Sequence, residues 1–163
     1  MSTPRPFFGF GANASPTLIT SLLGRLPKAQ KATLYHRRVY IQPWKAIPRE
    51  AQKFLFEIGG WTPSFACYVL RPKRCELVEG VLWHLTHEEM ECLQRWDLSN
   101  GQWTELSAVV CVTDDGQEVV AETHILPCWH NDLLVPCTST TFLNSRAKMF
   151  KAGKKVRAIA DFS

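Results

Sequence analysis

The chain has 163 residues, a length that favours one domain with a sizeable hydrophobic core. Hydrophobic residues make up 45% and charged residues 21%, and the formal net charge of +4 is too small to argue for nucleic-acid binding. No apolar run approaches the roughly 18 residues that a membrane-spanning helix needs, and the six cysteines show no CxxC pair. We therefore expect a single cytoplasmic domain over residues 1–163, with reduced thiols and with neither a membrane nor a nucleic acid as partner.

The amino-terminal segment predicts a short strand, a glycine turn and a helix. Residues 7–13 read Phe-Phe-Gly-Phe-Gly-Ala-Asn, and the two glycines let the backbone turn tightly and approach a ligand. Ser15 can cap a helix that Pro16 begins and Gly24 ends. A strand that turns into a helix in this way aims backbone N–H groups into one concavity, which suits a carboxylate, a phosphate or an oxyanion. A tight turn that binds no ligand is the alternative.

A long strand and a second helix are predicted next. The strand covers 29–42 and should contain a bulge or a bend, because the polar residues 36–38 interrupt residues that favour β structure. Within 43–63, Pro48 can start a helix and Gly59 can end it. The apolar residues between them follow helical spacing. This helix either packs on the core or forms a lid or a partner surface.

The middle of the chain predicts two strands and a helix that ends on an acidic residue. The strands cover 66–71 and 77–85, and Gly80 indicates a bulge or a close approach by another group. A capping box at Thr86 starts the helix, and Asp97 at its end shares the inward face with Met90 and Leu93. Burial and the helix dipole would both raise the pKa of Asp97 toward the range useful in acid–base catalysis. A simple polar turn over 97–101 is the alternative.

The remainder of the chain is rich in strands. Strands over 103–112 and 118–126 are joined by the hairpin signal Asp-Asp-Gly at 114–116. Irregular structure is expected over 127–138, a last helix up to Gly153, and a short strand or tail from Val156. Strands with irregularly interspersed helices indicate an α+β fold with a curved or closed sheet.

Dinucleotide binding and metal binding both fit the sequence poorly. Gly9, Gly11 and Ala14 match a GxGxxA dinucleotide pattern, but no acidic residue follows at the required distance and no repeated βαβ unit surrounds the motif. The histidines and acids at 84–89 are not an HExxH motif, and the cysteines and histidine at 128–137 lack zinc-site spacing. We therefore expect no metal and no cofactor.

Two separated segments carry a recognisable pattern. Residues 8–13 read Phe-Gly-Phe-Gly-Ala-Asn, and residues 78–86 read Val-Glu-Gly-Val-Leu-Trp-His-Leu-Thr, followed at 93–97 by Leu-Gln-Arg-Trp-Asp. They resemble the (F)xYGSN loop and the VxGxLYxLT…LDxxEG pattern of the γ-glutamylcyclotransferase-like family, which includes the plant AIG-two-like proteins. Residues 121–125 are similar to the family's AxxYI. The resemblance spans most of the chain except 43–63, which we interpret as an insertion, a divergent segment or a lid.

The resemblance implies a fold and a reaction. The family fold is a small mixed β-barrel with surrounding helices and a ligand cavity at one mouth. In the family reaction, which belongs to glutathione metabolism and needs no cofactor, the α-amine of a γ-glutamyl group attacks its own γ-carbonyl. The products are 5-oxoproline and a free amine or amino acid. By resemblance Asp97 stands at the position of the catalytic Glu, as general acid/base, and Trp103 lies near a usual Tyr. The substrate-binding loop falls on Phe10, Gly11, Ala12 and Asn13.

Several positions depart from the family pattern. Asp97 is one methylene shorter than Glu, which reduces its reach by roughly 1.5 Å. Ala12 replaces a Ser and Phe10 a Tyr, so two hydroxyl groups are absent, and Gln94 replaces an Asp. Two hypotheses follow: a cyclotransferase acting on a γ-glutamyl amine or a related γ-acyl amide, or a relative that uses the same pocket for small-molecule binding or reassigned chemistry. The tryptophans favour a bulkier, more apolar leaving group in the first case. Nothing in the sequence indicates the oligomeric state.

Overall fold

The computed structural model describes residues 3–59, 66–97, 103–126, 134–136 and 154–157. Six strands, three longer α-helices and a helical turn over 154–157 lie within these ranges. The strands are β1 (Arg5–Gly9), β2 (Ala29–Pro43), β3 (Ala66–Leu85), β4 (Glu105–Thr113), β5 (Glu118–Ile125) and β6 (Val135–Pro136). The helices are α1 (Pro16–Leu23), α2 (Arg49–Gly59) and α3 (His87–Trp96), and short 3-10 helices cover Gly11–Ala14 and Trp44–Ala46.

Five of the strands close into a barrel. Their order is β3-β1-β5-β4-β2, and the pairing of β2 with β3 joins the two ends of the sheet. The pairing of β1 with β5 is parallel and the others are antiparallel, so the barrel is mixed. β6 pairs antiparallel with the second half of β2, at Tyr40 and Ile41. The predicted α+β fold, a small mixed β-barrel with surrounding helices, is confirmed.

The two strands predicted over 66–71 and 77–85 are a single strand, β3, of 20 residues. That part of the prediction is wrong, because β2 pairs with β3 on both sides of an irregularity. The predicted bulge in β2 is confirmed between Tyr35 and Arg37, where the register shifts. His36 and Cys75 lie within this irregularity and have positive φ angles of 59° and 65°. Their backbone conformation accommodates the extra residues of β3.

The barrel interior is filled by apolar side chains from all five barrel strands, among them Phe8, Leu34, Leu82, Cys111 and Ala121. A second cluster joins the outer faces of the strands to the three helices. The close approach predicted at Gly80 is confirmed, because a Cβ there would lie 2.4 Å from the carbonyl oxygen of Gly9. β1 and β3 therefore cross with no room for a side chain at this point.

The predicted helix signals hold for α1 and α3, and α2 begins directly after Pro48 and ends at Gly59, as predicted. The Ser15 hydroxyl accepts a hydrogen bond from the amide of Leu18, Gly24 ends α1 at a φ of 75°, and both bonds of the Thr86 capping box are present. The buried face of α2 packs on the core, as one of the two alternatives for this segment predicts. An insertion or a lid over 43–63 stays a prediction.

The carboxyl-terminal predictions are tested only in part. The predicted helix before Gly153 lies outside the described residues. Residues 154–157 form a helical turn with Val156 buried, where the sequence predicts a strand or a tail. None of the helices in the described ranges has the length and apolar character that crossing a bilayer would require.

Candidate active site

Two distant segments meet at one end of α3. The loop that follows β1 runs through Phe10 into the 3-10 helix Gly11–Ala14, and we call this segment the glycine loop. Asp97 caps the carboxyl end of α3, where its amide donates to the carbonyl of Leu93 at 3.0 Å. Met90 and Leu93 are fully buried beneath the helix, so the predicted inward face is correct. The packing of that face fixes the direction in which α3 presents Asp97.

The Asp97 carboxylate contacts the loop through a side-chain hydrogen bond. Nδ2 of Asn13 donates to Oδ2 of Asp97 at 2.7 Å, across 84 residues of sequence. Asn13 is buried, and 18% of the Asp97 side chain is exposed. The carboxylate therefore lies against the glycine loop and still reaches solvent.

His124 on β5 contacts the same oxygen. Its Nδ1 lies within hydrogen-bonding distance of Oδ2 of Asp97, and the imidazole is 4% exposed. An ionised carboxylate has no proton to give, so this contact requires the hydrogen on Nδ1. In the neutral imidazole Nε2 then carries a lone pair. The arrangement is a carboxylate held between an amide and an imidazole.

Two buried atoms of this cluster lack a partner in the described part of the chain, and with a neutral His124 that carries its hydrogen on Nδ1 both of them are acceptors. Oδ1 of Asn13 and Nε2 of His124 are both buried without a hydrogen-bond partner among the described residues. Buried polar atoms are normally paired, so each unpaired one calls for a ligand or a water. Together with the negative charge of Asp97, the cluster suits a group rich in hydrogen-bond donors, such as an ammonium.

The loop is anchored on the barrel. The indole Nε1 of Trp83 donates to the backbone carbonyl of Asn13 at 2.8 Å, and this bond is buried. A Cβ at Gly9 would lie 2.2 Å from that same carbonyl oxygen, so only glycine fits beneath the loop. On the opposite side, the hydroxyl of Thr104 donates to the carbonyl of Asp97 at 2.8 Å.

The predicted binding residues of the glycine loop make different contacts. The amide of Asn13 donates to the carbonyl of Phe10 at 3.1 Å, so that N–H is used within the loop. Phe10 is 8% exposed and packs in the barrel interior. Gly11 has a φ of 56° and lies against the ring of Tyr68, and Ala12 packs against the outer cluster.

Trp103 is less directly connected to the cluster. Its side chain is 3% exposed, and its indole N–H donates to Oε1 of Gln42 at 2.9 Å. The next residue, Thr104, is the one that bonds Asp97. Trp103 is therefore adjacent in the chain to a residue that contacts Asp97, and its own contact with a substrate stays a prediction.

His124 is the residue that sequence reasoning missed. It lies on β5 directly after the buried Thr123, so two consecutive side chains of this strand are buried. A strand that alternates between core and solvent would expose one of them. One signal was present, because the stretch similar to AxxYI places His124 at the position of the motif's Tyr.

No family model matches the chain, and no curated protein matches it. Its fold is similar to that of a gamma-glutamyl cyclotransferase, with a TM-score of 0.58 and 12% identity over 98% of this chain and 99% of the other. An uncharacterized Homo sapiens protein gives a TM-score of 0.57 at 14% identity, covering 77% of this chain and 68% of its own. An Arabidopsis thaliana protein gives 0.56 at 19% identity, covering 78% and 71%. At these identities the similarity establishes a cyclotransferase-like fold.

Proposed function

We propose that the protein is a γ-glutamylcyclotransferase-like enzyme that releases 5-oxoproline and a free amine from a γ-glutamyl amine or a related γ-acyl amide. The observation that carries the proposal is the hydrogen bond between Asn13 and Asp97, which joins the glycine loop to the carboxylate proposed as general acid/base. The fold shared with a gamma-glutamyl cyclotransferase supports it.

The proposed reaction is intramolecular and balances without a cofactor. The ammonium of the γ-glutamyl group gives a proton to Asp97, and the free amine attacks the γ-carbonyl carbon to form the new C–N bond. Asp97 passes this proton to the leaving nitrogen as its bond to that carbon breaks. It then accepts the second proton that the ring nitrogen loses to become the neutral lactam, and the released amine or solvent takes that proton from Asp97. Five-membered ring closure is assisted by proximity, so the main tasks of the protein are proton transfer and charge stabilisation.

The glycine loop has the binding role in this proposal. The amide of Asn13 is already bonded within the loop, which leaves the N–H groups of Gly11 and Ala12 as the proposed donors to a substrate carbonyl or carboxylate. The unpaired acceptors beside Asp97 suit the substrate ammonium. In this proposal Trp103, whose neighbour Thr104 bonds Asp97, is also assigned a contact with the substrate.

A direct assay tests the reaction. The protein is incubated with a panel of γ-glutamyl amines, and 5-oxoproline is followed by chromatography. We expect the wild type to release it, and Asp97→Asn to lower kcat by at least about a hundredfold, because the proton acceptor is lost. Glu105→Gln is the matched control, since Glu105 is an exposed acid at the start of β4.

The outcomes separate the proposal from its alternative. Release that survives Asp97→Asn would remove the role assigned to this residue, and loss of release in Glu105→Gln alone would transfer it. A wild type that releases no 5-oxoproline across the panel would favour the relative without cyclotransferase activity. We place the proposed activity in the cytoplasm, where Cys75 and Cys111, which are free thiols, would stay reduced.

A further inference from the structure

We propose that His124 is a positioning residue, whose Nδ1–H holds Oδ2 of Asp97 so that Oδ1 alone exchanges protons with the substrate. The inference rests on the proposed function, because it concerns the carboxylate assigned there as general acid/base.

The two oxygens of Asp97 have different surroundings. Nδ2 of Asn13 and Nδ1 of His124 both contact Oδ2. Within the described ranges no contact of this kind is made by Oδ1, and the side chain keeps 18% exposure. An oxygen that accepts two hydrogen bonds from the protein is a poor proton acceptor, because a new proton would displace one of them. Oδ1 is therefore the oxygen available to a substrate.

A single hydrogen bond would not hold the carboxylate in this orientation. The terminal torsion of an Asp side chain is broad and roughly twofold, so one contact permits rotation or exchange of the two oxygens. Asn13 approaches Oδ2 from the glycine loop, whereas His124 approaches from β5. Two donors on separate elements define the plane of the carboxylate. This matters because a displacement of about 1 Å can lower a rate about a hundredfold.

The imidazole is itself firmly held. His124 is 4% exposed, and its ring packs on that of Phe7 with 5.1 Å between centroids and a 59° tilt. β5 lies between β1 and β4, and Leu106 of β4 pairs with His124. The ring cannot follow Asp97 if the carboxylate moves, so it acts as a fixed donor.

Amide substitutions at position 124 test which imidazole atom matters. In His124→Asn the amide nitrogen lies near the position of Nδ1 and keeps a donor for Asp97, whereas in His124→Gln it lies nearer the position of Nε2. We expect His124→Gln to lower kcat about a hundredfold with little change in KM, and His124→Asn to lose less than about tenfold. The matched control is His87→Asn, a histidine with 62% side-chain exposure at the start of α3, which should behave as wild type.

The comparison of the two amide variants decides the outcome. Equal losses in His124→Asn and His124→Gln would overturn the proposal, because a donor at the Nδ1 position would then not be sufficient. Near-wild-type kcat in His124→Gln would also overturn it. Urea unfolding of both variants shows whether either loss reflects a general loss of stability; the assays are run only where each variant is folded.

A second measurement does not depend on turnover. Imidazole ¹⁵N NMR of the wild type reports which ring nitrogen of His124 carries the proton. We expect Nδ1 to be protonated, and its shift to change in Asp97→Asn. A protonated Nε2 with a bare Nδ1 would overturn the inference. If the wild type releases no 5-oxoproline, the proposed function fails, and this spectrum still decides whether His124 holds Asp97.

Discussion

Gly9 is the position where adding one carbon atom, a Cβ, would disturb the candidate site most. A Cβ at this position would lie 2.2 Å from the carbonyl oxygen of Asn13 and 2.9 Å from Nε1 of Trp83, the two atoms whose hydrogen bond anchors the loop. Gly9→Ala must push them apart. Overpacking of this kind costs about 1–3 kcal/mol, so we expect the free energy of unfolding in urea to fall by about 2 kcal/mol. 5-Oxoproline release should fall as well.

Gly116 provides the control for this substitution. It has a φ of 85° in the hairpin between β4 and β5, and nothing lies within 4 Å of an added Cβ. Asn tolerates such a φ, so Gly116→Asn should change stability by less than about 1 kcal/mol. Equal stability of Gly9→Ala and wild type would show that the loop adapts and is not held as described.

At the scale of elements, α3 matters most because it carries Asp97 at its carboxyl end. The helix has only ten residues, and its amino end depends on the reciprocal bonds between Thr86 and Glu89. Thr86→Ala removes the side-chain cap and should lower the free energy of unfolding by about 1 kcal/mol. Thr17→Ala, at an exposed position in the first turn of α1, should lie within about 0.5 kcal/mol of wild type. If the two variants unfold at the same urea concentration, the cap contributes nothing to α3.

For the whole molecule, one histidine links stability to pH. Partial burial, assisted by the charge of Lys28, lowers the pKa of His84 below its ordinary value of 6.5. The unfolded chain then binds more protons than the folded one as pH falls below about 6.5, so His84 lowers stability toward acid pH. We expect His84→Gln to reduce the loss of stability between pH 7 and pH 5, as measured by urea unfolding. A slope equal to that of wild type would contradict this.

The sequence was sufficient for local structure and insufficient for long-range contacts. The caps at Ser15 and Thr86 and the hairpin at 114–116 follow from rules that involve neighbouring residues. The continuity of β3 was missed because it depends on its pairing with β2. His124 was missed for the same reason, since its proximity to Asp97 arises only when the barrel closes.

The parallel contact between β1 and β5 bears on the order of folding. β4 and β5 pair through a short hairpin, whereas Phe7 pairs with Glu122, 115 residues later in the chain. Closing such a long loop is entropically costly. We therefore expect the hairpin to form early and the parallel pairing of β1 with β5 to form late. The glycine loop, α3 and β5 come from three remote parts of the chain, and the Asn13–Asp97–His124 cluster exists only after the last of these contacts forms. Protection of the backbone amides at that cluster from hydrogen exchange would therefore report completed folding. A protein in which β1 separates from β5 would lose its site before it lost most of its strands.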